Sequence, residues 1–183
     1  DDGQAYLYFG GIWGGQLQCW RSGEFDRDAY TTMENSGDEP ALMPRVAKLS
    51  DDMHTFSGDV QNLVINDTDG KPIHASKHDR RFFEAAWMHK YNGKYYFSYS
   101  TGDTHYLAYA IGDSPLGPFT YQDRILEPVK GWTTHHSIAE FKGKWYLFYH
   151  DTSISGKNHL RCVKIREIVY DAEGKIKLAQ PQE

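Results

Sequence analysis

Three segments share one pattern of positions, a glycine turn followed by a strand-length run crowded with aromatics: Gly3-Gln4-Ala5-Tyr6-Leu7-Tyr8-Phe9, Gly93-Lys94-Tyr95-Tyr96-Phe97-Ser98-Tyr99 and Gly143-Lys144-Trp145-Tyr146-Leu147-Phe148-Tyr149. Aromatic side chains pack well on a pleated surface, so each run predicts a strand. Residues 16–20 and 45–49 alternate as half-buried strands do, and 60–66 is a short apolar run. A hairpin is expected over 88–99, strands over 105–111 and 159–168, and a last hairpin over 170–176. Residues 23–44 read as a polar loop, and Gly112-Asp113-Ser114-Pro115-Leu116-Gly117-Pro118-Phe119 as a cluster of turns. No segment carries a helical period longer than about ten residues, so the class is all-β.

The turn glycines are 90 and 50 residues apart, roughly two periods and one period of about 45–50, the size of one four-stranded propeller blade. Counting at that period gives about three and a half blades. Propellers close with at least four, and an open array leaves strand edges unpaired. Since Asp1-Asp2-Gly3-Gln4 is a turn with no strand before it, the expectation is a partial propeller over residues 1–183 whose first blades lie upstream. Absence of a targeting signal is then uninformative.

Composition agrees. Hydrophobic residues at 39% and aromatics at 15% of 183 residues can build a core. A net charge of -5 offers no basic face to nucleic acid. The sequence has no run of eighteen apolar residues, the length that would suggest a membrane-spanning helix. Cys19 and Cys162 lack metal-ligand spacing and read as two buried free thiols, with a disulfide as the alternative.

The chemistry centres on Arg80-Arg81-Phe82-Phe83-Glu84-Ala85-Ala86-Trp87. A carboxyl among large rings loses solvation of its charged form, the environment that suits a general acid. The alternative is a strand-edge carboxylate paired with Arg80 or Arg81.

Phe82-Phe83-Glu84, the 91–100 hairpin, residues 110–119 with their Ser-Pro-Leu-Gly-Pro-Phe ending, His135-His136-Ser137 and residues 143–150 together resemble glycoside hydrolase family 43. The motifs agree in order over essentially the whole chain. The resemblance implies a five-bladed β-propeller, of which this chain supplies roughly the last three to four blades, and an inverting glycosidase with three acidic residues. Glu84 stands where the family's general acid does, although Glu84-Ala85-Ala86 replaces the usual Glu-Gly-Pro. The base and the Asp that modulates the acid then lie upstream of Asp1, which leaves Asp1 and Asp2 as turn residues and this chain alone inactive.

His135, in Thr134-His135-His136-Ser137, resembles the family's Gly-His-x-Ser, whose His lies near the axis and approaches a calcium-centred water cluster. A structural hydrogen-bonding pair of histidines is the alternative, since calcium prefers oxygen ligands. Arg161 matches an arginine that reaches the sugar pocket. Trp13, Trp87 and Trp132 could each stack on a sugar ring, but any aromatic in a blade is more often core, and only Trp13, Phe83 and Trp87 are the expected substrate walls. His78 and His105 have no decisive argument. No cofactor is required by such chemistry, and structural calcium is the one metal implied.

The substrates implied are xylose- or arabinose-containing plant oligosaccharides. The strings Gly10-Gly11-Ile12-Trp13-Gly14-Gly15-Gln16 and Thr101-Gly102-Asp103-Thr104-His105 look like the β-xylosidase branch. An α-L-arabinofuranosidase and a non-catalytic carbohydrate-binding propeller are the alternatives. A periplasmic or secreted bacterial enzyme is favoured over a cytoplasmic one, and the expected partner is the missing N-terminal segment of the same protein.

Overall fold

The computed structural model describes residues 3–11, 17–26, 28, 37–132 and 134–180. Among them are twelve strands and no α-helix: β1 (Tyr6–Phe9), β2 (Arg45–Lys48), β3 (Gln61–Asn62), β4 (Ile65–Asn66), β5 (Glu84–Tyr91), β6 (Lys94–Ser100), β7 (Leu107–Gly112), β8 (Phe119–Leu126), β9 (His136–Phe141), β10 (Lys144–Asp151), β11 (Cys162–Tyr170) and β12 (Ile176–Leu178). They form three sheets in the orders β1-β2-β3, β4-β8-β7-β6-β5 and β12-β11-β10-β9. Every pairing is antiparallel except the short β4–β8 pair. Strand β5, at the edge of the central sheet, touches both β1 of the first sheet and β9 of the third, so the three sheets meet along it.

Turn chemistry sets the hairpins. Asn92-Gly93 and Lys142-Gly143 both have positive φ at both residues, 45° and 81° in one and 53° and 77° in the other. That twist matches a two-residue antiparallel connection. The registers follow, with Tyr91 opposite Lys94 and Phe141 opposite Lys144.

The central sheet is buried on both faces, which explains why its strands read as continuous apolar runs. Along β6, Phe97 and Tyr99 enter a core with Val46, Leu63, Ile65, Phe82 and Phe119 on the side of the first sheet. The alternate residue Tyr96 enters a second core with Leu107, Tyr109, Ile138, Leu147 and Ile168 on the side of the third. Among the described residues the third sheet has no such cover on its other face. Val163, Ile165 and Val169 alternate along β11 at 73%, 58% and 46% exposure.

Some expectations need correction. Between Gly3 and Gly93 the described residues hold one blade and not two, because 49–83 are turns, isolated bridges and the short β3 and β4. Residues 17–20 form a 3-10 turn in place of a strand. Gln18 takes over the role of a pairing partner, accepting from Leu42 N–H at 2.8 Å and donating to Leu42 C=O at 3.1 Å. Strand β8, unforeseen in the sequence, completes the central sheet. Both cysteines are free, but only Cys19 is buried. Cys162 is half-buried and donates to Asp151 Oδ1 at 2.9 Å.

Candidate active site at one end of the sheets

The antiparallel registers gather distant residues at one end of the sheets. Glu84 begins β5 opposite Ser100, which ends β6. His136 begins β9 opposite Tyr149, and Cys162 begins β11 opposite Asp151 near the end of β10. Gly10 and Gly11 follow β1 to the same place: a Cβ on Gly11 would lie 2.6 Å from Phe83 O and 3.1 Å from Glu84 Cβ.

The segment before Glu84 is tied from several directions. Tyr99 Oη donates to Arg80 C=O at 2.6 Å, Thr104 Oγ1 to His78 C=O at 2.8 Å, and Arg81 to Ala75 C=O. Arg80 pairs with Asp67 at 3.0 Å and Asp79 at 3.1 Å. The arginine partners considered for Glu84 are thus directed elsewhere. Ala85 then takes φ 61°, a left-handed conformation costly for a side chain with a Cβ, and a bulge follows between Glu84 and Trp87.

Three hydrogen bonds fasten β9 to the central sheet: Ser98 Oγ with His136 Nε2 at 2.6 Å, Ser100 Oγ to Thr134 C=O at 2.6 Å, and Trp87 Nε1 to Ile138 C=O at 3.1 Å. They bring His135 to Glu84, with Nε2 3.3 Å from Oε1. The Glu84 side chain is 25% exposed and that of His135 54%. His135 N–H donates to His150 Nε2 at 3.1 Å, and Arg161 Nη1 lies 3.3 Å from the same nitrogen. Glu84, His135 and Arg161 are therefore joined in one cluster through His150, a residue the sequence reading assigned no role. Its signal was only its place at the end of the third aromatic strand. Burial, then Arg161, then His135 lower the His150 pKa below the usual value.

The other expected site residues fall differently. Phe83 lies along the same segment, its ring packed so closely on Gly102 that a Cβ there would sit 2.2 Å away. Trp87 packs against the second core and its indole donates to Ile138 C=O, while the residue also lines a cavity with Tyr6, Tyr8 and Met88. Trp132, not placed among the expected walls, is 64% exposed. Its loop is pinned by Thr152, which donates to Lys130 C=O from both N–H and Oγ1. Trp13 lies outside the described residues. His136 is the structural partner of Ser98, and burial lowers its pKa to about 3. His78 is buried, and His105 ends a short turn at φ 56°.

Calcium takes six to eight oxygen ligands. Among the described residues no group of three or more His, Cys, Asp or Glu could hold a metal.

The family model for glycosyl hydrolases family 43 matches residues 1–176. A xylosidase/arabinosidase 43A of Humicola insolens is 63% identical over all of this chain and 57% of its own length. A beta-xylosidase of Xylanibacter ruminicola is 56% identical over 97% of this chain and 54% of its own length. Among solved structures, a GH43 beta-xylosidase/alpha-arabinofuranosidase from a compost microbial metagenome, in complex with xylotriose and in a calcium-free form, superposes with a TM-score of 0.86. It is 61% identical and covers 96% of this chain, which in turn spans 54% of it. The chain spans about half the length of the relatives it matches, and its structural neighbours are propellers.

Proposed function

The chain belongs to glycosyl hydrolase family 43, and we propose that residues 1–183 are the later blades of the catalytic propeller of an inverting glycosidase. Its substrates are xylosidic and arabinofuranosidic bonds in plant oligosaccharides, with β-xyloside preferred. The observation that carries this reading is the cluster at the sheet ends, where Glu84 faces His135 and Arg161 is linked in through His150. The names of the relatives, xylosidase/arabinosidase and beta-xylosidase, support the substrate class.

In this mechanism Glu84 is the general acid. His135 Nε2 faces Oε1, which leaves the other carboxyl oxygen to carry the proton to the departing glycosidic oxygen. A carboxylate from sequence outside this chain activates water on the opposite face of the sugar. Inverting enzymes hold the two carboxyls about 6.5–9.5 Å apart so that this water fits between them. Arg161 and Trp132 contact the sugar, Phe83 shapes the floor beside the acid, and no cofactor takes part.

The remaining blades of the ring pack against the first sheet and on the exposed Val163, Ile165 and Val169 face of the third. Exposed apolar patches of this kind mark sites of association.

The test is hydrolysis by the full-length protein of aryl β-D-xyloside and aryl α-L-arabinofuranoside, with the anomer first formed followed by NMR. Both should be cleaved, the xyloside faster, giving α-xylose first. Binding of xylo-oligosaccharide without hydrolysis of either would identify a carbohydrate-binding propeller instead.

A further inference from the structure

We propose that His150 is a positioning residue, whose Nε2 lone pair sets His135 against Glu84 and holds Arg161 beside them. The inference rests on the reading of Glu84 as the general acid.

His135 precedes β9, so its N–H has no ladder partner. The imidazole of His150 supplies the acceptor at 3.1 Å. Arg161 Nη1 approaches the same nitrogen at 3.3 Å, while its Nε donates to Asn158 C=O at 3.0 Å. An arginine carries only donors, so Nε2 must be the acceptor and the ring proton sits on Nδ1. One lone pair thus fixes a backbone donor and a guanidinium at once.

His150 is itself clamped. Its N–H donates to Thr134 Oγ1 at 3.0 Å, and that hydroxyl donates to His150 C=O at 2.8 Å. Thr134 C=O accepts from Ser100, the register partner of Glu84. The path from the acid through Ser100, Thr134 and His150 back to His135 is therefore closed. A rotation of the imidazole would release both His135 and Arg161, and misplacement by about 1 Å can cost on the order of a hundredfold in rate.

In the full-length protein, His150→Phe keeps the ring shape without an acceptor, and His150→Gln puts an amide oxygen near the Nε2 position. The inference expects His150→Phe to lower kcat/KM by on the order of tenfold or more. The loss should be larger for substrates with poor leaving groups, and His150→Gln should recover a substantial part of it. Parent-like rates in both variants would overturn the inference, as would equal losses in both that track a fall in melting temperature. Glu84→Gln serves as the separate control. If it retains parent activity, the acid reading fails, whereas an inactive Glu84→Gln beside a parent-like His150→Phe leaves that reading intact and removes only the positioning role.

Discussion

His135 Nε2 lies 3.3 Å from Glu84 Oε1 although the two residues are 51 positions apart, Glu84 beginning a strand of the central sheet and His135 standing just before the third sheet. Small polar residues on the otherwise aromatic β6 make this possible. Ser98 and Ser100 are both buried, and each bonds to the segment that begins β9. Ser100→Ala leaves the Thr134 carbonyl without its donor, a loss of about 1–3 kcal/mol for a buried acceptor. Urea unfolding of the full-length protein should register that loss. Activity should fall further than Ser98→Ala causes, because Ser100 is the residue opposite Glu84.

Gly11 sits against the acid's backbone at φ 83°, whereas Gly23 has φ 89° with nothing within 4 Å of an added Cβ. Gly23→Ala therefore meets only the left-handed backbone cost, about 1–2 kcal/mol. Gly11→Ala adds a collision with Phe83 and Glu84, and should lower kcat by on the order of tenfold or more by displacing the carboxyl. Equal kinetics in the two variants would show that this approach does not position the acid.

Ala85 occupies the position where the family resemblance expects glycine, and it does so at φ 61°. The conformation required is the one glycine adopts freely. Ala85→Gly should then stabilise the protein by about 1 kcal/mol, or about 2–4 °C in melting temperature for a chain of this size. An unchanged or lower melting temperature would mean that neighbouring contacts of the methyl outweigh the strain.

Stability should fall on acidification through histidines and not only through carboxylates. Burial lowers the pKa of His89 to about 4 and that of His136 to about 3. Between the ordinary histidine value of 6.5 and these values, the unfolded chain binds protons that the folded chain excludes. Unfolding free energy therefore drops as pH falls from 6.5 toward 4, by about 1.4 kcal/mol per pH unit for each histidine, and is flat from this source above 6.5. His150, also lowered, adds in the same direction. Urea midpoints at several pH values should show this slope, and His136→Gln should flatten it.

Much of this architecture was legible in the sequence because turn glycines and aromatic runs are local signals. The hairpins at Asn92-Gly93 and Lys142-Gly143 fell where the pattern put them. The strand expected across 16–20 failed because Gln18 satisfies the backbone of Leu42 with its side chain, an option alternation cannot register. Blade counting from glycine spacing overran because long loops occupy one of the intervals. At the site, the sequence singled out Glu84, His135 and Arg161 one at a time. Their connection was not legible, since it depends on His150 placing one nitrogen between two other segments. How Trp87 is held was not legible for a related reason: whether an indole near a strand end turns inward depends on what the next sheet offers, and Ile138 C=O captures Trp87.

The central claim is that Glu84 donates the proton to the leaving group, and leaving-group dependence tests it most directly. In the full-length protein, Glu84→Ala should lose hydrolysis of xylobiose by several orders of magnitude while retaining much more of its rate on activated aryl xylosides, whose departing phenolates need little protonation. Equal activity of Glu84→Ala and the parent on xylobiose would contradict the account.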